Sequence, residues 1–422
     1  MKLSIALVCL VFLTACAPPP SISQEDVSTA IPASITRTNP AVTSAAGTTP
    51  VLSATETLQP TPFAPSTPQV AAGEAHTCLL DRSGNVWCWG WNIYGQAGSE
   101  PSQSVWPPVQ LPLTGITSIS SGAYHSCAID GAGRLFCWGR NNQGQLGNEN
   151  LNDSSIPVEV TALSGETIAA VSCGSFHTCA VNTSGQAWCW GSNRDGKLGN
   201  GDVGGVYKQP VPVIGELPAL VRIAAGATFT CAADVHGVAW CWGDGSFGET
   251  GSKTMQSNPL PVQVSGVNNV KSLSAGWAHL CALSSDGNAA CWGKNFAGEL
   301  GNSSNIPRSL PAPITGLSGK QPLRILSVGG RTSCALTEAG FLLCWGRNDA
   351  GQAGSAARVD TLLPAQVNGI PGNIISLAVG GSHTCALTDT GDLYCWGDND
   401  LGQLGAAGVK DSSAPILISG ME

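Results

Sequence analysis

Seventeen cysteines carry most of the chain's chemical potential, and fourteen of them fall into seven pairs with one spacing. The pairs are Cys78 with Cys88, Cys127 with Cys137, Cys179 with Cys189, Cys231 with Cys241, Cys281 with Cys291, Cys334 with Cys344 and Cys385 with Cys395. Within each pair, two apolar runs flank a polar turn such as Asp81-Arg82-Ser83-Gly84, which is the signature of a β-hairpin. In a hairpin folded about Ser83, Cys78 and Cys88 stand opposite each other. Directly opposed strand residues have a Cα separation that a disulfide accepts. Zinc is the rival chemistry, but a nine-residue gap without a second Cys or His pair is not a recognised ligand spacing. One cross-strand disulfide per unit is the expectation, and an oxidising compartment is its corollary.

The remaining cysteines are Cys9, Cys16 and Cys173. Cys9 lies in an apolar run over residues 3–13 that follows Lys2. The run is too short to span a bilayer but fits the core of a secretory signal. Leu13-Thr14-Ala15-Cys16 resembles the bacterial lipobox, which implies cleavage before Cys16 and acylation of its sulfur. Cys16 would then anchor the protein to the outer side of a membrane or cell surface without a spanning segment. An ordinary signal peptide cut near the same small residues is the alternative. Cys173 stands where sister units carry Ser or Ala, so it reads as a small buried residue. No neighbouring Lys or His in the sequence supports a reactive thiol there.

Five of the six histidines, His76, His125, His177, His279 and His383, occupy one repeat position and invite comparison with a ring of metal ligands. Equivalent residues of successive units are dispersed around a ring, so hydrogen bonding within each unit is the expectation, with no metal site. The Trp after each second Cys reads as packing rather than a cofactor box. No nucleophile elbow, phosphate loop, metalloprotease motif or catalytic carboxylate pair stands out, so neither catalytic residues nor a cofactor are assigned and a non-enzymatic role is expected.

The elements that would position these residues follow from composition and repetition. The 422 residues are 42% hydrophobic but only 11% charged, with 53 Gly and 27 Pro, a balance that suits tight turns and excludes an all-helical chain. A net charge of −9 without a basic block argues against nucleic-acid partners. Residues 1–16 form the signal and lipobox. Residues 17–69, rich in Ser, Thr, Pro and Ala, read as a disordered tether. Residues 70–422 contain seven units of about fifty residues, a period that suits an all-β, seven-bladed β-propeller with four antiparallel strands per blade. A tail strand at residues 415–418 is expected to complete a blade with strands of the first unit, because an open array would leave two exposed edges.

Two phrases define the unit: Gly122-Ala123-Tyr124-His125-Ser126-Cys127-Ala128-Ile129, and Cys137-Trp138-Gly139-Arg140-Asn141-Asn142-Gln143-Gly144-Gln145-Leu146-Gly147. These and their cognates resemble the repeats of the regulator of chromosome condensation family. The resemblance covers residues 70–422 and implies the seven-bladed propeller. Unit four departs from it with Phe229 for His and Gly245 for Asn, and unit six with Thr332 for His. Family precedents include nucleotide exchange on a small GTPase, ultraviolet sensing and protein binding by a secreted member. The export signal argues against the first. Gly276-Trp277-Ala278-His279 resembles the light-sensing motif only loosely.

A hairpin returns the chain to the end where it started, so both phrase-bearing turns of every unit are expected on one face. The variable residues there include Trp91, Tyr94, Tyr124, Phe176, Phe247, Trp277, Phe296 and Arg331. Aromatics with Arg on one face suit an interface hot spot, and packing between blades is the competing use. Trp106 and Tyr207 are assigned to loops between strands. The expectation is a monomeric, lipid-anchored binding propeller with an unidentified protein partner at the cell envelope. A lectin or enzyme using the central depression is the alternative, with nucleotide exchange behind it.

Overall fold

The computed structural model describes residues 67–317 and 322–419; Cys9, Cys16 and nearly all of the expected tether lie outside the described residues. The first blade consists of β1 (Gln69–Ala72), β2 (His76–Leu80), β3 (Val86–Asn92) and β4 (Ser102–Gln110). The second consists of β5 (Ile116–Ser121), β6 (His125–Asp130), β7 (Leu135–Gly139) and β8 (Ser154–Glu159), and β9 (Ile168–Cys173) opens the third. Blades 3 to 7 span residues 168–212, 220–263, 270–313, 323–367 and 374–418. Each of the seven is a four-stranded sheet paired in chain order, so the fold is an all-β, seven-bladed propeller.

Local chemistry sets these hairpins. In blade 1, Asp81 accepts hydrogen bonds from the backbone N–H groups of Ser83 and Asn85, and Gly84 takes φ +80°. A side chain that mimics a turn, followed by a residue free to adopt positive φ, reverses the chain in four residues. The reversal aligns Cys78 with Cys88 in the β2–β3 register, and the other six pairs are aligned likewise. Disulfides join Cys78 to Cys88, Cys127 to Cys137, Cys179 to Cys189 and Cys231 to Cys241 in blades 1 to 4. Blades 5 to 7 carry the bonds of Cys281 to Cys291, Cys334 to Cys344 and Cys385 to Cys395. The Cα separations are 4.1–4.2 Å, so every cysteine pair expected to be bridged is bridged. Each bond closes a short loop and stabilises the fold by about 2–3 kcal/mol at most.

The first strands of successive blades pack on one another around the axis, and β1 meets the first strand of blade 7 (Ile374–Val379). Ring closure differs from the sequence expectation. The tail strand, Ser412–Ile418, pairs with Leu393–Gly397 of its own blade and adds no strand to blade 1, although Ile418 shares an apolar cluster with Val70 and Leu79. The chain already supplies blade 1 with its innermost strand before His76, so no strand is missing. Closure is therefore achieved by packing between blades.

Three seam contacts recur. Each tryptophan after the second cysteine is wholly buried. Its indole N–H donates to a backbone carbonyl of the preceding blade, as in Trp138 to Gln96 at 3.1 Å and Trp89 to Gln403 at 3.1 Å across the closure. Histidine forms the second contact. His125 bonds Thr178 at 2.7 Å, His177 bonds Thr230 at 2.8 Å, and His383 reaches Thr77 at 2.8 Å across the closure. These partners belong to the next blade, which corrects the expectation of bonds within each unit. A glycine just past the first strand leaves room for the ring: a Cβ on Gly174 would lie 2.4 Å from the His177 ring, and Gly73, Gly276 and Gly380 stand likewise beside His76, His279 and His383.

Those glycines make the third contact. A Cβ on Gly122 would lie 2.2 Å from the carbonyl oxygen of Gly174, and one on Gly174 would lie 2.4 Å from that of Gly226. The same approach continues through Gly276 and Gly380 to Gly73, which in turn faces Gly122. Backbone bonds follow it, including Gly381 N–H to the Gly73 carbonyl at 3.0 Å.

Unit four's departures are matched by their neighbours. Phe229 is fully buried in one apolar cluster with Leu280, which replaces the hydroxyl residue found at that position in the other blades. In unit six, Thr332 donates its hydroxyl hydrogen to the Arg347 carbonyl instead.

Candidate functional site

The loops of one face are held by the repeated Asn of the second phrase. Asn141 is buried; its Oδ1 accepts the Leu146 N–H at 2.9 Å while Nδ2 donates to Asn148 and Asn150. Asn92, Asn193, Asn295, Asn348 and Asn399 each accept from the residue five positions on in the same way. Gly245 breaks the series because a Cβ there would lie 2.1 Å from the Gln256 carbonyl oxygen. Rigid loops hold the intervening variable side chains at fixed positions on the face.

Blades 1 to 3 place Trp91, Tyr94, Tyr124 and Phe176 together. Tyr124 lies 5.5 Å from Trp91, 6.0 Å from Tyr94 and 5.2 Å from Phe176, measured between ring centroids. All four rings are half-buried. Above them, the Arg140 guanidinium lies 4.4 Å from the Tyr94 centroid, 5.1 Å from Tyr124 and 5.5 Å from Phe176. Blades 4 and 5 repeat the arrangement in miniature: Phe247 and Phe296 meet at 5.5 Å under the Lys294 ammonium. Among the described residues, neither cation forms an ion pair. A cation on aromatic faces keeps its charge and its donors available.

The other two expected residues stand apart from these groups. Trp277 donates its indole hydrogen to Glu74 at 3.1 Å, linking blade 5 to blade 1 at the mouth of the central channel. Burial raises the Glu74 pKa, opposed by the Trp277 hydrogen bond and the charge of Arg347. Arg331 is paired with Glu299 at 3.1 Å. The channel itself, about 190 Å³, is walled mainly by Gly, Ala and Ser, with Cys173 among them. Trp106 and Tyr207 are not in loops: Trp106 lies in β4, and Tyr207 lies in the outer strand of blade 3 (Val206–Pro212).

Arg140, Lys294 and Glu74 were missed in the sequence. The signal for the cations was the residue between Trp-Gly and Asn, which is Arg140 in unit two and Lys294 in unit five. A further position, the Gln of the Gly-Gln-x-Gly turn, is replaced by Lys197, Glu249 and Glu299 in units three to five, all buried at seams. Burial pushes Glu249 up to about 7 and lowers Lys197.

The profile of the Regulator of chromosome condensation (RCC1) repeat matches residues 83–129, 132–181, 184–233, 236–283, 339–387 and 390–422. A second profile of that repeat matches a segment in every blade, from 69–96 to 374–403. The Ultraviolet-B receptor UVR8 of Arabidopsis thaliana is 31% identical over 83% of this chain and 69% of its own length. The E3 ubiquitin-protein ligase HERC2 of Homo sapiens is 29% identical over 63% of this chain, which spans only 4% of that protein. Among solved structures, Prp20p of Saccharomyces cerevisiae aligns with TM-score 0.72 at 22% identity, covering 85% of this chain and 88% of its own. Human WBSCR16 aligns with TM-score 0.68 at 24% identity, covering 77% and 88%. At these identities the structural likeness shows the shared fold. The repeat profiles, together with the similarity to the plant receptor, place this chain in the regulator of chromosome condensation repeat family.

Proposed function

We propose that this chain is an exported, lipid-anchored propeller that binds a protein partner through the loop face. The observation that carries the reading is the platform of Trp91, Tyr94, Tyr124 and Phe176 beneath Arg140. Rings already packed against one another lose little side-chain freedom on binding, and aromatics with Arg dominate interface hot spots. A relative, Prp20p, is described by its binding to Gsp1p and histones, which supports protein binding as a use of the fold. The lipobox-like Cys16 and the seven disulfides support an oxidising location outside the cytoplasm.

The test uses purified chain as bait on envelope and secreted fractions, beside a Tyr94→Ala, Tyr124→Ala, Phe176→Ala variant of equal melting temperature. A partner retained by the wild type and lost by the variant, with affinity reduced at least tenfold, is the expected result. Equal capture would move the site off this face. Saturable binding of a glycan without a protein partner would favour the central depression instead. Cys16→Ser should release the protein from membranes, and unchanged fractionation would remove the anchor.

A further inference from the structure

Cys173 is the free cysteine of the described residues, and it is not alone. It ends β9, at the seam between blades 2 and 3, and its Sγ, the Cys127 Sγ and a ring nitrogen of His125 all lie within 4.8 Å of one another. Cys127 is bonded to Cys137, so this trio lacks the two thiolates that would make it a metal site. What remains is a thiol beside the electrophilic sulfur of a disulfide.

The hydrogen bonds around His125 fix its tautomer. Thr178 donates its hydroxyl hydrogen to the Gln145 carbonyl at 2.8 Å, so its oxygen accepts from His125 Nε2 at 2.7 Å. The ring therefore carries its proton on Nε2. Nδ1 is left with a bare lone pair and no hydrogen-bond partner in a wholly buried side chain. The thiol itself donates to the Ser120 carbonyl at 3.5 Å.

We propose that Cys173 exchanges with the Cys127–Cys137 disulfide, so that the bond has two arrangements: within blade 2, or between blades 2 and 3. The steps balance without an oxidant. Hydroxide removes the thiol proton. The Cys173 thiolate attacks Cys127 Sγ, the Cys127–Cys137 bond breaks, and its electron pair leaves on Cys137, which takes a proton from water. One thiol and one disulfide stand on each side of the reaction. Cys173 is part of the channel wall, the side from which hydroxide would have to approach.

Burial pushes the Cys173 thiol up to about 12 and holds His125 at about 3, so the thiol is almost entirely protonated at neutral pH. The groups facing it are Ser120 on β5 and Cys127 and His125 on β6, all uncharged. Exchange is accordingly slow at pH 7 and speeds up about tenfold per pH unit as thiolate accumulates. The alternative bond would tie together the blades that carry Tyr124 and Phe176, whose rings lie 5.2 Å apart. The exchange does not depend on what the loop face binds.

The test holds full-length chain without reductant at pH 7, 8, 9 and 10, quenches in acid, alkylates in denaturant with N-ethylmaleimide and maps the peptides by mass. Label moving from Cys173 to Cys137, with a Cys127–Cys173 peptide appearing tenfold faster per pH unit, is the expected result. Label confined to Cys173 at every pH overturns the proposal. Cys137→Ala should form the Cys127–Cys173 bond on air oxidation, and a folded variant that keeps both thiols free would also overturn it. Cys173→Ala must show no migration of label; migration there would assign the chemistry to another cysteine and overturn it equally.

Discussion

Histidine at a blade seam works as a neutral side chain. Burial lowers the pKa of His76 and His279 to about 4 and of His125 and His383 to about 3, and drives His177 well below its ordinary value. In the unfolded chain these rings titrate near the usual value of about 6.5. Their contribution is thus fully present above that pH and is lost as pH falls toward the folded values. The loss is about 1.4 kcal/mol per pH unit for each histidine. Urea denaturation should show a midpoint that falls steeply from pH 7 to pH 5, with several protons taken up on unfolding. Phe229 and Leu280 show how a seam can avoid this dependence. His125→Phe combined with Thr178→Leu should copy that pair and reduce proton uptake by about one, and an unaltered slope would contradict the assignment. Repeat position alone exposed the histidines in the sequence, but not their partners. A residue about fifty positions away in a periodic chain looks identical to a neighbour in the same unit until the blades are placed side by side.

At the scale of elements, hairpins were readable because their information is local: the turn residues, the opposed cysteines and the glycine at each reversal. The assignment of the tail strand was not local. Any cut through a periodic sequence yields the same pattern, and whether the last strand completes the first blade or the last depends on where the chain enters its first sheet. Here it enters through β1, which pairs with β2. The consequences of deletion change accordingly. Removing residues 411–422 strips an outer strand that contacts Leu393–Gly397 alone within its sheet, so the melting temperature should drop while the hydrodynamic radius of the ring stays the same. Removing residues 67–73 takes away β1, on which Ile374–Val379 packs, and should abolish cooperative unfolding. Equal damage from the two deletions, followed by calorimetry and size-exclusion chromatography, would refute closure by packing.

For the molecule as a whole, the seam chemistry and the face chemistry are separable. Trp138, His125 and Gly174 are buried between blades and recur; Arg140 and Phe296 on the loops and Trp91 near the end of β3 vary. The face could be located from the sequence, since hairpin geometry returns both turns of a unit to one end. Its division into two cation-capped groups could not, because which blades are neighbours decides whether Tyr124 meets Phe176 or faces solvent. The contiguity of each blade carries one more implication. With every sheet complete within its own stretch of chain, the break between Ile418 and Gln69 is equivalent to any other crossing between blades, such as the one over residues 213–219. Joining residue 419 to residue 67 through a short linker that restores the usual crossing length, and opening the chain over residues 213–219, should permute the sequence circularly while keeping the same seven sheets and the same seams.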